Sequence, residues 1–168
     1  MSEFPANAAS LDPYKNFNFR VKWDGQYIPA IRAVSGLIRT TEVVENRKGS
    51  GPSKARKSIG LTGFDAITLE RGLTEDPSFE NWANLVWQYG GGMESDIILD
   101  QFRKNISIEL YNEAGQLMRA YKVYHCWPTQ YQAISALDAN QVAVIIERLT
   151  LENEGWERDR SVIPPAQT

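Results

Sequence analysis

One stretch near the start does most to limit what this chain can become. From Asn16 to Trp23 the sequence alternates strictly, with Phe17, Phe19, Val21 and Trp23 on one side and Asn16, Asn18, Arg20 and Lys22 on the other. A period of two belongs to a strand buried on one face, the pattern of an antiparallel sheet laid over a core. Asp24-Gly25 follows at once, a dipeptide that accepts the positive φ angles of a tight hairpin.

The same pattern carries on. Tyr27–Ser35 and Ile38–Asn46 read as strands separated by Gly36, and Ile67–Arg71 reads as a short one. Asp76-Pro77 predicts a helix start, with Asp76 as N-cap and Pro77 in the first turn. Phe79, Trp82, Ala83, Val86 and Tyr89 then share a helical face, and Gly90-Gly91-Gly92 ends the helix. Strands resume with Phe102, Ile106, Ile108 and Leu110 opposite Arg103, Asn105, Ser107 and Glu109. Asn112–Gly115 is a turn, Gln116–Trp127 returns, and Pro128 is expected to end that strand. A last strand is expected over about Gln141–Asn153. Its start, Val142–Ile146, is apolar on both faces, which predicts cover from the helix or from a neighbouring subunit.

The 168 residues suit one domain, of about seven strands and one principal helix. Residues 1–15 read as an N-terminal arm, 16–155 as the domain, and 156–168 as a loose C-terminal tail. The segment 47–58, RKGSGPSKARKS, reads as an extended loop or hairpin tip. It carries Arg47, Lys48, Lys54, Arg56 and Lys57 with no acid. The whole chain is nevertheless at −3, which argues against the bulk electrostatics of a general nucleic-acid binder. The first residues lack a basic start and an apolar core, so no signal peptide is expected, and no apolar run is long enough to span a membrane.

No constellation for chemistry emerges. The one histidine, His125, adjoins the one cysteine, Cys126, and strand neighbours point to opposite faces, so they do not make a nucleophile–base pair. They are also too few for a zinc site, and no cofactor is expected. The glycine triplet follows a helix, whereas a phosphate cradle precedes one. Asp65, Glu70, Glu75, Asp76 and Glu80 lie close together with only Arg71 among them. Such a cluster could serve as an acid–base pair or a cation site. Solvated surface, or a subunit-facing patch complementary to the basic loop, is the simpler reading. The expectation is a self-associating, non-enzymatic chain whose interface includes the five basic residues and these five acids.

Ordered motifs add a resemblance. DPYKNFNFRVKWDG (12–25), AVSGL (33–37), TEVVENRKG (41–49), LERGLTEDPSFENW (69–82), HCWPTQYQ (125–132) and LTLENEGWER (149–158) resemble, in order, the T4-like phage tail-tube protein family. The resemblance implies an antiparallel β-barrel or β-sandwich core with one flanking helix. It implies hexameric rings stacked into a hollow tube inside a contractile sheath, with strands of adjacent subunits joined into a continuous barrel around the lumen. The hairpin near 40–60 would reach a neighbouring subunit or the next ring. The implied partners are further copies of the chain, a sheath protein, baseplate and cap or terminator proteins, and DNA or protein cargo in the lumen. Assembly in a bacterial cytoplasm and a final place in a virion or injection particle follow. SKARKS is longer and more charged than the family's usual link, and GGGMESDIILDQ (90–101) is an extra connection. Alternative readings are a sheathless-phage tube, a baseplate-proximal adaptor ring, a secreted ring protein, or a nucleic-acid-binding module using 47–58.

Overall fold

The computed structural model describes residues 18–46, 56–89 and 101–165. The N-terminal arm, Arg47, Lys48 and Lys54, the glycine triplet and most of 90–101 lie outside the described residues. Among the described residues the elements run in order β1 Asn18–Trp23, β2 Gln26–Tyr27, β3 Ile31–Val34, β4 Arg39–Asn46, β5 Arg56–Phe64, β6 Ile67–Gly72, α1 Ser78–Tyr89, β7 Lys104–Tyr111, β8 Leu117–Gln132, β9 Ile146–Glu152 and β10 Trp156–Arg158. Every pairing is antiparallel. The strands form an open, sandwich-like fold and not a closed barrel.

The alternation of β1 becomes geometry directly. Val21 and Trp23 are buried, while Asp24 (φ 51°) and Gly25 (φ 73°) both take the left-handed region and close Trp23 onto Gln26. Those two positive angles define the two-residue turn whose twist suits a hairpin. One sheet runs β2-β1-β7-β8, with β10 on the far edge of β8; the other runs β8-β9-β6-β3. Inward side chains of both meet in one core: Val21, Trp23, Ile106, Ile108 and Val123 from the first, Ile67, Leu69, Leu149 and Leu151 from the second. The helix adds Phe79 and Trp82, both stacked or tilted against Trp23. Its outer face is not uniformly apolar-in: Trp87 is exposed.

Four sequence expectations are corrected. The strand ending at Pro128 runs on to Gln132 as β8. Pro128 sits where the register with β9 shifts, and a bulge tolerates a residue without an N–H. The tail after Gly155 is not loose at its start, because Trp156–Arg158 pairs with β8 and Trp156 packs edge-on against Phe64 and Tyr121. Finally, the loop 47–58 is shorter than read: Arg56, Lys57 and Ser58 already belong to β5, a strand the sequence reading missed. The second predicted strand, Tyr27–Ser35, is also split into β2 and β3.

The helix is fixed to the second sheet through a buried cation. The Arg71 side chain is fully buried. Its Nε donates to Glu147 Oε2 at 2.9 Å, Nη1 to Asp76 Oδ2 at 2.7 Å, and Nη2 to the Asp76 carbonyl at 2.7 Å. The guanidinium lies 4.1 Å from the Phe79 ring centroid, and the Tyr131 hydroxyl donates to Glu147 Oε1 at 2.8 Å. Partial burial works to raise the Asp76 carboxyl, but hydrogen bonds from Ser78 and Arg71 outweigh it and hold the carboxyl below its usual value. Asp76 also accepts the Ser78 N–H, so it caps α1 as the sequence predicts.

Removing one partner of such a pair strands the other charge. Arg71→Met leaves Glu147, only 3% exposed, without its cation. We expect it to destabilise the subunit by about 3–5 kcal/mol in urea unfolding, with Arg71→Met/Glu147→Leu recovering much of the loss. Equal loss in both variants would contradict the role given to Arg71.

Candidate assembly interface

An isolated two-stranded hairpin is marginal in water, yet among the described residues β4 and β5 pair only with each other. Every residue of β4 is exposed, and nearly all of β5. The exposed side chains include Val43, Val44, Ile59 and Leu61; Ile59 is 87% exposed and Leu61 78%. This arm has an apolar load and, among the described residues, nothing in its own chain that buries it. Its strands are held by ladder bonds and by a Thr41–Thr62 hydroxyl contact at 2.8 Å. Gly60 lies in its bulge, where a Cβ would sit 2.9 Å from the Glu42 Cβ, so the close approach of the strands requires glycine. The base is anchored by the Asp65 N–H to Ile38 carbonyl bond and by Arg39 over the Trp156 ring.

Arg56 and Lys57 stand on this arm, opposite Asn46 and Glu45. The five acids do not form one patch. Asp76 is turned into the Arg71 clamp, and Glu70 sits on the outer face of β6, where Arg148 Nε donates to it at 2.5 Å. Asp65, Glu75 and Glu80 are exposed and form no ion pair among the described residues. A local run of acids in sequence becomes three exposed groups and two engaged ones, because alternation along β6 and the cap of α1 send neighbours in different directions.

A second apolar patch lies where β9 begins. Residues 141–145 are not part of that strand, and Val142 and Val144 are exposed together with Leu73, whose N–H reaches the Ile145 carbonyl at 3.0 Å. The helix does not cover them, which corrects one of the two expected covers. Sequence did show this segment as doubly apolar; only structure shows that it faces outward.

The second sheet has two open edges. Among the described residues, β7 leaves β8 at Cys126, so Trp127–Gln132 has no strand on that edge, and β3 has no outer neighbour. The first sheet differs, since its edges end in β2 and β10, two and three residues long. Short edge strands blunt pairing, whereas the open edges of the second sheet invite it.

No reaction chemistry is assembled at His125 and Cys126. An extra residue bulges β8 here: Val123 and Cys126 are both buried while His125, at φ 51°, is exposed, its N–H held by the Asn105 side chain at 3.0 Å. Burial pushes the Cys126 thiol up to about 12. Among the described residues no group of His, Cys, Asp and Glu could hold a metal ion, and no helix is long and apolar enough to cross a membrane.

The family model described as T4-like virus tail tube protein gp19 matches residues 15–157. Solved structures share the fold. A chain of an extracellular contractile injection system, the PVC sheath–tube complex in its extended state, is 24% identical with a TM-score of 0.72, covering 94% of this chain and 99% of that one. A chain of the PVC sheath/tube terminator is 24% identical with a TM-score of 0.71, covering 88% and 97%. A chain of the anti-feeding prophage tube-terminating cap is 23% identical with a TM-score of 0.70, covering 88% and 91%. No curated protein sequence matches significantly.

A thiol so placed reacts only after unfolding. Cys126 in the native subunit should resist an aromatic disulfide reagent for hours and react within minutes in denaturant; rapid native labelling would contradict its burial.

Proposed function

This chain belongs to the T4-like virus tail tube protein family, a family of structural tube proteins, and from that membership we propose that it is the inner-tube subunit of a contractile injection system or contractile phage tail. It stacks as hexameric rings around a hollow conduit, and it works by assembly without catalysis. The observation that carries this reading is the β4–β5 arm, exposed along its described length and paired with no other strand among the described residues.

The physical logic is one of deferred burial. Covering a side chain such as Ile59 or Leu61 contributes about 1.5–3 kcal/mol. A subunit that leaves several uncovered along an arm is completed by another copy. The arm reaches a neighbouring subunit or the next ring, and the patch of Leu73, Val142 and Val144 is a further contact surface on each copy. Head-to-tail contact of unlike surfaces closes rings and extends them. Arg47, Lys48, Lys54, Arg56 and Lys57 orient the arm, with Asp65, Glu75 and Glu80 as available acids; Glu70 and Asp76 serve mainly within the subunit.

The surroundings follow from the same reading. Three solved relatives come from a sheath–tube complex, a sheath/tube terminator and a tube cap, and a fourth, 21% identical, from a baseplate. We assign this chain the same kinds of partner: sheath outside, baseplate and cap at the ends, and DNA or protein cargo within the lumen.

Reversing Arg56 and Lys57 to Glu, alone and with Arg47, Lys48 and Lys54, should reduce tube formation while far-UV circular dichroism and the unfolding midpoint of the subunit stay unchanged. Ile59→Asp/Leu61→Asp should abolish it. Tubes of normal yield from both sets would overturn the role of the arm.

A further inference from the structure

The outer face of the second sheet is built as two transverse polar rows. Thr68, Thr150 and Gln130 lie in register in one, and Glu70, Arg148 and Gln132 in the other. In the first, the Thr68 and Thr150 hydroxyls are 3.3 Å apart. In the second, Arg148 Nε donates to Glu70 Oε1 at 2.5 Å and Arg148 Nη1 to Gln132 Oε1 at 3.0 Å. The one acid and one base of these rows thus neutralise each other. None of the large exposed apolar side chains belongs to either row. Apart from the Glu70–Arg148 pair the rows are flat hydroxyl and amide, and beyond their end Glu152, on the same face of β9 as Arg148 and Thr150 and in register with Trp127, adds a carboxylate with no ion pair among the described residues.

The other sheet presents a different surface. There Arg20 and Lys22 lie over the Tyr27 ring, Arg20 also over Tyr111, and the Tyr27 hydroxyl donates to Glu109. That sheet ends in blunted edges, so it is poorly suited to pairing with copies of itself. Of the two sheets over the core, the second has the longer unpaired edges among the described residues, so it is the one to continue laterally, β3 of one copy against Trp127–Gln132 of the next. When it is, the inner face is already covered by the subunit's own first sheet and α1. That second layer occupies space, and in a closed ring it fits at the larger radius. The uncovered rows then look into the bore.

We propose that Thr68, Thr150, Gln130, Glu70, Arg148 and Gln132 line the lumen of the tube, and that the Glu70–Arg148–Gln132 row sets its selectivity by cancelling charge. This rests on the tube reading above and adds to it a surface and a cargo chemistry. These rows carry no net charge and so neither trap a polyanion nor repel it, while Glu152 beyond them leaves a carboxylate on the same face. Arg148 is the residue on which this depends, because without it Glu70 joins Glu152 as an uncompensated carboxylate in every subunit.

Thr150→Cys in assembled full-length tubes tests the placement, read with a small maleimide and with a maleimide on a carrier too wide for the bore. Labelling by the small reagent alone in tubes, and by both in free subunits, is the expected result. Labelling by both in tubes puts the face outside, and labelling by neither buries it in a contact; either overturns the proposal. Gln130→Cys repeats the test should Thr150→Cys fail to assemble. If the unaltered chain forms no tubes, the tube reading itself fails, and this proposal with it. For selectivity, Arg148→Gln tubes at low salt should take up a short fluorescent oligonucleotide about tenfold less than unaltered tubes, with a cationic peptide unaffected or favoured. Equal oligonucleotide uptake would overturn the charge-cancelling role.

Discussion

Much of this subunit depends on one strand that serves two sheets. β8 spans Leu117–Gln132, and irregularities near His125 and Pro128 let it leave β7 and take up β9. Bulges bend and twist a strand while keeping it paired. The bend gathers Val123 and Cys126 into the core and brings Tyr131 to Glu147. It also leaves Trp127–Gln132 with a free edge. Had β7 followed β8 to its end, the second sheet would have one open edge and could not continue in both directions.

The Arg71 clamp acts on the same sheet from the inside. It ties β6 to β9 through Glu147 and to the start of α1 through Asp76. Buried ion pairs give little net stability, but they penalise arrangements that separate the partners. Here the arrangement preserved is a helix held against the inner face of a sheet whose outer face carries the Thr and Gln rows. The subunit is therefore rigid where it meets its own core and uncommitted where it meets other copies.

Sequence disclosed the parts whose pattern is local. The alternation of Asn18–Trp23, the Asp24-Gly25 turn, the Asp76 cap and the Asn112–Gly115 turn all follow from residue chemistry within a few positions. It failed where register decides. The start of β5 falls in the segment that reads as loop or hairpin tip and its remainder carries no strand signal, because Gly60 and Gly63 interrupt it and its apolar residues face solvent. Pro128 reads as a stop because the extra residue that bulges β8 between Pro128 and Gln130 shows only against the register of β9. The acids of 65–80 looked like one patch because linear proximity hides the alternation of β6. Nothing in composition separates the polar rows of the second sheet from ordinary surface; they become a feature only when Thr68, Thr150 and Gln130 fall side by side.

The central claim is that this subunit completes itself by building a hollow tube from its own copies. Cryo-electron microscopy of the assembled protein measures that most directly. The account predicts stacked rings around a solvent-filled bore, with β3 of each subunit beside Trp127–Gln132 of the next and the β4–β5 arm seated on another copy. Filaments without a bore, or a particle that remains a monomer at high concentration with its arm unengaged, would contradict it.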